Sequence, residues 1–566
     1  MQPALSLRAV FAASNLWLAG SAAIALLVVA PLVVLGSIAA EGSGELWPHL
    51  MAYVLPQSAM QTIVLLLGVG AFVLVVGVGA AWTVTAYEFP GRRILEWSLL
   101  LPLAVPTYVV AYAYLDILHP LGPVQSLLRD LLGIASPRDL KLPDIRSLGG
   151  CTLLLGLVLY PYVYLSARAM FLLQAGSLIE SARMLGAGPF AVFWRVALPA
   201  ARPGIAVGGS LALMEALNDI GAAQFLGVQT LTVSIYSTWV NRSSLPGAAQ
   251  IALLMLAIVL VLILLERWGR HRDEAVASEI AESMEPRHIR GYRGALICGV
   301  TSLPVLLGFV APAAYLLIET VKRIRVAGVS PAIITEIGNT VSIAAISTVV
   351  IIVTGFCIAY AMRVRPGRAA GFFARVSALG YAIPGTVLAI SLLAPLAAFD
   401  NAVDSFAQNW FGISTGLLLS GSGAALIYAY AARFMVISSG GIEAGLNKIS
   451  GTVDETARTL GAGRAALMRM IHLPLLRPAL ATAALLVFVD CMKELPATLL
   501  LRPFDFETLA THLYAEAARG TYEDGAIAAL LIVAVGLVPI MLLSRLARAE
   551  PSEDSLEEAP STLLRL

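Results

Sequence analysis

Glu455 to Pro474 reads ETARTLGAGRAALMRMIHLP, and 275 positions earlier Glu180 to Pro199 reads ESARMLGAGPFAVFWRVALP. Glu180, Ala182, Arg183, Leu185, Gly186, Ala187, Gly188, Leu198 and Pro199 recur without a gap as Glu455, Ala457, Arg458, Leu460, Gly461, Ala462, Gly463, Leu473 and Pro474. Self-similarity at a fixed offset marks a tandem duplication. The match continues outward: Thr62, Pro90-Gly91-Arg92 and Pro106 answer Thr340, Pro366-Gly367-Arg368 and Pro384 at offsets of 276 to 278. Thr230-Leu231 with Tyr236 likewise answers Thr508-Leu509 with Tyr514. In each cassette the glycine permits a tight break after a short polar helix, and Pro199 and Pro474 are expected to stop a second short helix before the next apolar run. Such a rigid knob suits docking into a groove on a soluble partner. A simple amphipathic interfacial loop would account for one copy better than for two in equivalent places.

The surroundings of the cassette are membrane. Of 566 residues 58% are hydrophobic and 13% charged, with mean hydropathy +0.83, more apolar surface than a water-soluble core can hide. A net charge of +1 with no basic face excludes nucleic acid as a partner. Cys151, Cys298, Cys357 and Cys491 are scattered in or beside apolar runs, without the spacing of a metal knuckle or redox pair. They read as small buried hydrophobes.

Apolar runs of about 20 residues or more, long enough to cross about 30 Å of hydrocarbon as helices, lie near 16–39, 58–86, 94–117, 150–173, 203–227 and 246–265. Six more lie near 295–318, 338–362, 372–397, 413–437, 476–501 and 523–544. The first run lacks a clear small-residue cleavage site and reads as an uncleaved span rather than a signal peptide. The expected division is a first six-helix repeat at 1–265 with its cassette loop at 178–200, a charged linker at 266–294, a second repeat at 295–546 with its loop at 450–475, and a polar tail at 547–566. With the N-terminus inside, each half carries 13 Lys and Arg inside against five outside, so both halves run in the same direction and both cassettes face the cytoplasm. Two parallel six-helix bundles about one axis along the membrane normal would enclose a single central pathway.

The span after each cassette carries charge. Glu215 and Asp219 stand at i, i+4 with Asn218 between them, and Asp490 and Glu494 stand at the same spacing with Lys493 between them, each position matching its counterpart at the 275-residue offset. A charge at the centre of a spanning helix costs about 2.5–3.5 kcal/mol on insertion scales, so such groups face a polar cavity or pair with each other. Glu215 and Asp490 are expected near mid-membrane, with Asp219 and Glu494 further out and Pro496 bending the second helix beyond them. Lys493 could pair with Asp490 one turn away or with Asp219 across the axis. His119, His512 and Tyr514 are candidates for assistance near the outer surface.

The cassette pattern, Glu-Xaa-Ala, then Gly, then Ile or Val-Xaa-Leu-Pro, resembles the cytoplasmic "EAA" loop of permease subunits in ATP-binding-cassette importers. Val196 stands where the second copy has Ile471, and Ser181 and Thr456 replace the central residue of the name. The resemblance covers essentially the whole chain as two fused permease domains and implies an all-α inner-membrane protein of about twelve helices in two parallel six-helix repeats, the fold of type I importers. It further implies that Glu180, Ala182, Gly186, Leu198, Pro199, Glu455, Ala457, Gly461, Leu473 and Pro474 dock onto two copies of a separate cytoplasmic ATPase. No GxxxxGK[ST] phosphate loop occurs in this chain, so it is read as a transport subunit and not an enzyme. KELPATLLLRP and MEALNDIGAAQFLGVQTLT resemble the ferric-iron branch, which implies a solute-binding protein outside, Fe³⁺ as cargo and no stably bound cofactor. Glu215, Asp219, Asp490 and Glu494 would then be transient oxygen ligands of a hard cation, with Asn218, Lys493 and Pro496 lining the path. Thiamine, phosphonate or polyamine cargo, an ion-coupled secondary transporter, and a membrane scaffold or sensor are the alternatives.

Overall fold

Proline placement organises the helices. The structure, a computed structural model, describes residues 7–134, 136–137, 139–140, 143–173, 181–270, 286–460 and 463–548. Among them ten helices are long and apolar enough to cross a bilayer, and two bent helix pairs bring the number to twelve if each pair is one span. Glu180, Gly461 and most of the linker and tail lie outside the described residues.

Each half breaks its spans at matching prolines. The run near 94–117 is two helices, Arg92–Ala104 and Thr107–Ile117, meeting at 90°. The run near 372–397 is likewise divided into Arg368–Ala382 and Gly385–Phe411. The breaks fall at Val105 and Ile383, both extended, because a residue preceding proline is pushed out of the helical region. Four π turns, Leu50–Val54, Phe193–Ala197, Leu306–Val310 and Met468–His472, each end two residues before a proline: Pro56, Pro199, Pro312 and Pro474. Proline cannot donate to the carbonyl four back and crowds it, and widening the preceding turn accommodates both.

This corrects one expectation about the cassettes. Pro474 does not stop a helix, since Ala465–Lys493 runs through it as one 29-residue span. In the first half the helical stretch does break, with Pro189–Ala200 meeting Arg202–Asn218 at 71°. The runs near 203–227 and 476–501 are also not single helices. Arg202–Asn218 ends at extended Asp219 before the short helix Gly221–Phe225, and Leu473–Lys493 ends at extended Glu494 before Pro496–Leu501. Pro496 opens that second helix, at its first turn, where a missing N–H costs nothing.

The duplication is visible in packing. Leu55–Ala86 lies mainly against Leu148–Leu173, and Pro331–Val364 mainly against Ala424–Asn447. The Leu231 amide donates to Thr62 Oγ1 at 2.9 Å, and the Leu509 amide to Thr340 Oγ1 at 2.9 Å. Thr230 and Thr508 cap the helices that follow them, accepting from Val233 and Thr511. Leu7–Ala40 leans across onto helices of the second half, and the Tyr114 hydroxyl reaches back to the Leu307 carbonyl at 2.7 Å. The four cysteines are free thiols.

Candidate functional site: a central charged cavity

The broken ends of the spans converge on one cavity. Glu215, Asn218 and Asp219 of the first half and Asp490, Lys493, Glu494 and Pro496 of the second all line it, around a volume of about 120 Å³. At about 30 Å³ per water, that is room for about four waters or a small ion with part of its shell.

The breaks after Asn218 and Lys493 explain how the acids are held. Asp219 Oδ1 accepts from the Ala223 amide at 3.1 Å, and its other oxygen accepts from the Thr107 hydroxyl. Glu494 accepts from the Ala497 and Thr498 amides at 2.9 and 3.1 Å and from the Thr498 hydroxyl at 2.8 Å. Each carboxylate caps the short helix beyond its break, where unpaired N–H groups and the positive helix end favour negative charge. The i, i+4 spacing therefore does not place the acids one turn apart on a continuous helix, because the chain turns extended at the second acid of each pair.

Two cations answer the four acids. Lys493 Nζ lies 2.8 Å from Asp490, the pairing within its own helix. Arg433, which is buried, lies 3.1 Å from Glu494 and 3.8 Å from Glu215, so it bridges acids from the two halves. The Tyr381 hydroxyl donates to Glu215 at 3.1 Å, the Gly385 amide to Asn218 Oδ1 at 2.7 Å, and the Tyr108 hydroxyl to the Lys493 carbonyl at 3.2 Å. Every one of these three bonds joins one half to the other. Nearby, the symmetry-related Tyr236 and Tyr514 meet edge to face with centroids 6.3 Å apart. Equivalent residues of two repeats touch only on the axis that relates them, so this pair stands on the central axis.

Arg433 was missed at the sequence level, where it was counted with the inside loops. It lies in the spanning helix Ala424–Asn447 and faces the cavity, so the inside count of the second half falls from 13 to 12, still well above five. The signal was present: a lone arginine within an apolar run carries the same insertion cost that singled out the acids. At the 275-residue offset its counterpart is Val158, which lines the opposite wall, so symmetry alone could not find it. His119, His512 and Tyr514 do not line the cavity; His512 instead pairs with Glu336 at 3.0 Å, and Tyr514 bonds Gln224 at 2.5 Å. Among the described residues no three His, Cys, Asp or Glu side chains gather as a metal-holding group.

On the cassette side, the first loop closes in a Schellman motif: the Gly186 amide donates to Arg183 O at 2.9 Å and the Ala187 amide to Ala182 O at 3.0 Å. Gly186 takes φ +85°, which glycine adopts without a Cβ penalty. Met184, Leu185, Phe190 and Trp194 stand exposed on this loop, and Leu460 and Met470 on the other. Ala457 is buried behind its helix, while Glu455 points outward beside it.

Residues 73–272 match the family of binding-protein-dependent transport system inner membrane components. The molybdenum transport system permease protein ModB of Escherichia coli K12 is 30% identical over 206 residues, 35% of this chain and 85% of that protein. The chain belongs to this family. It is also similar, at 22% identity over 490 residues, to the Fe(3+)-transport system permease protein FbpB 2 of Haemophilus influenzae, covering 86% of this chain and 89% of that one. The putative 2-aminoethylphosphonate transport system permease protein PhnU of Salmonella choleraesuis is 29% identical over 202 residues, 35% of this chain and 70% of that protein. ModB matches about a third of the chain, and FbpB 2 matches 86% of it. The protein is thus a fused two-domain permease of an ATP-binding-cassette importer, a multi-pass inner-membrane transport subunit that works with ATPase and binding-protein partners.

Proposed function

We propose that this permease conducts ferric iron. The observation that carries the reading is the charge of the cavity: four carboxylates against two cations give a formal net charge of 2 − 4 = −2, and both cations are already paired. A hard cation prefers such oxygen donors, and a path that must release its cargo gains nothing from a chelating cluster. The full-length similarity to an Fe(3+) permease supports the same assignment. A cavity of about 120 Å³ fits an ion better than thiamine or a polyamine. Glu215, Asp219, Asp490 and Glu494 would hold the ion in passing, with Asn218, Lys493 and Pro496 along its path. A small oxyanion is the second reading, favoured by the Arg433 guanidinium in the cavity wall and by the molybdenum and phosphonate relatives.

In this mechanism residues 1–265 and 295–546 are the two permease repeats, joined by the linker 266–294 and followed by the tail 547–566, with both termini cytoplasmic. A loaded binding protein docks outside, and two ATPase subunits close on loops 178–200 and 450–475. Closure is passed through the knobs that carry Glu180 and Glu455 into the spans that end at Asp219 and Glu494, and the inter-half bonds around Arg433 exchange as the halves rock. The deciding experiment is uptake of ⁵⁵Fe and of ⁹⁹Mo-molybdate in a deletion strain complemented with wild type or with Glu455→Lys. Vanadate-sensitive iron uptake, restored by wild type and lost in the variant, is the expected result. Restoration of molybdate uptake alone gives the oxyanion reading, and uptake of neither ion rejects both.

A further inference from the structure

A second hollow, unrelated to the pathway, lies on the side of the first cassette loop. The chain leaving the linker pairs as a short parallel strand, Arg287–His288, with Tyr87–Glu88 at the end of the second span, and the Ile289 amide donates to Glu88 O at 2.8 Å. It then turns at Gly291, with φ +72°, into the helix Tyr292–Val305. Gly294 packs so closely that a Cβ there would stand 2.7 Å from Ile289 O and 3.0 Å from Pro90. Arg287, Arg290 and Arg293 thus sit on a fixed bracket, and all three line one groove of about 650 Å³ together with His288. None of the three makes an ion pair among the described residues, and the one carboxylate of the bracket, Glu88, is taken by Arg92.

The far wall of the groove is apolar. Leu296, Ile297 and Val300 continue it along the spanning helix, and Leu296 and Val300, one turn apart, are exposed toward the bilayer. Three guanidiniums without an acidic partner among the described residues, one of them, Arg293, bonded only to the Tyr292 hydroxyl at 3.3 Å, stand at the head of a hydrophobic ridge and match an amphiphile with an anionic head and an acyl tail. Arg287 also lines a neighbouring hollow with Arg183 and Ala187 of the first coupling loop, so an occupant of the groove would adjoin the part of the permease that meets the ATPase.

We propose that this groove is a binding site for an anionic phospholipid, its phosphate held by Arg287, Arg290 and Arg293 and its acyl chain laid along Leu296 and Val300. A free phosphate shares the head-group chemistry but makes no use of the apolar wall. At about a fivefold gain for each basic residue near an anionic head, three such residues make the preference for phosphatidylglycerol over phosphatidylcholine on the order of a hundredfold. Native mass spectrometry of the full chain, titrated with each lipid, reads this ratio directly. Arg287→Gln/Arg290→Gln/Arg293→Gln is expected to reduce it to near one while the thermal unfolding midpoint stays put. Should that variant fail to fold, a photoactivatable phosphatidylglycerol on the wild-type protein gives an independent answer, with cross-links expected at Leu296 and Val300 that fade in high salt. Equal binding of the two lipids, cross-links elsewhere, or displacement of the lipid by millimolar inorganic phosphate overturns the proposal.

Discussion

At the tip of the first cassette loop Leu185 is 89% exposed, and at the matching tip of the second Leu460 is 82% exposed. Behind these equivalent tips the two loops are fastened by different chemistry. The second is tied by buried polar groups: Asp454 lies 2.9 Å from His472 Nε2 and 3.1 Å from Arg363, and His472 Nδ1 lies 3.3 Å from the Tyr360 hydroxyl. Arg363 also donates to the carbonyl of Ile449 at 3.0 Å, which joins the loop to the end of the preceding span. At the 275-residue offset the first half has Ile179, outside the described residues, for Asp454 and Ala197 for His472; at the 276-residue offset of the Pro-Gly-Arg turn it has Tyr87 for Arg363. There the fastening is aromatic, with Trp82 5.3 Å from Phe171 and 5.4 Å from Phe193. Duplication kept the exposed apolar tip and let the inward attachment diverge.

The aromatic fastening should yield the largest effect. Trp82 is buried between two rings, and Trp82→Ala is expected to cost about 4 kcal/mol through the cavity it leaves. Hydrogen exchange should then rise across 181–200 and stay unchanged across 451–472. A rise in both loops would mean that the attachments are not independent.

Asp454→Ala should do the converse at about 3 kcal/mol, since it strands His472 and Arg363 without their acceptor. The triple exchange Arg363→Tyr/Asp454→Ile/His472→Ala, which brings in the first half's residues, should recover most of that loss, because a buried ion pair replaced by apolar groups is often neutral. Failure of the triple exchange to recover protection would show that the polar set has a role the aromatic one cannot fill.

Acid should distinguish the loops as well. Burial pulls the Asp454 carboxyl upward, but hydrogen bonds and charge from His472 and Arg363 outweigh it and hold it below the usual carboxylate range. A carboxyl with a depressed folded value contributes stability that is complete above its unfolded value of about 3.9 and is lost as pH falls through the folded one. Protection of 451–472, corrected for intrinsic exchange, should hold at pH 5 and fall below pH 4. The aromatic attachment of the first loop has no carboxyl to protonate, and its protection should fall less over the same window.

The duplication, the membrane architecture and the acids and lysine of the cavity, though not Arg433, were legible in the sequence, because each rests on a pattern that survives in one dimension: a fixed offset, apolar run length, and charge inside such a run. Asp219 and Glu494 were singled out for their charge, yet their capping role was hidden. Hydropathy continues across both breaks, and nothing in an apolar run marks where a carboxylate will turn to take the amides of the next helix. The Asp454 and His472 pairing was equally hidden, since it joins residues of two short elements whose facing depends on the π turn before Pro474. Pro106 and Pro384 were legible as repeat markers, while the extended residue that each imposes on its neighbour fixed the bends.

The smallest effect belongs to the turn at the first tip. Gly186 has φ +85°, and a Cβ built there meets nothing within 4 Å, so the substitution Gly186→Ala carries backbone strain and no steric clash. The strain of a left-handed alanine is about 1 kcal/mol. Confined to the end of a short helix, it should loosen the Schellman closure at Arg183 and Ala182 without disturbing Trp82 or Phe193 behind it. Limited proteolysis should therefore cut the variant about fivefold faster within 184–188, while exchange at Trp82 and its neighbours remains at the wild-type rate. Gly186→Asn, which tolerates the left-handed region better than alanine, should lie between the two. If alanine were cut no faster than glycine, the tip would be held by its attachment rather than by its own turn, and the independence of tip and attachment would fail at the first loop.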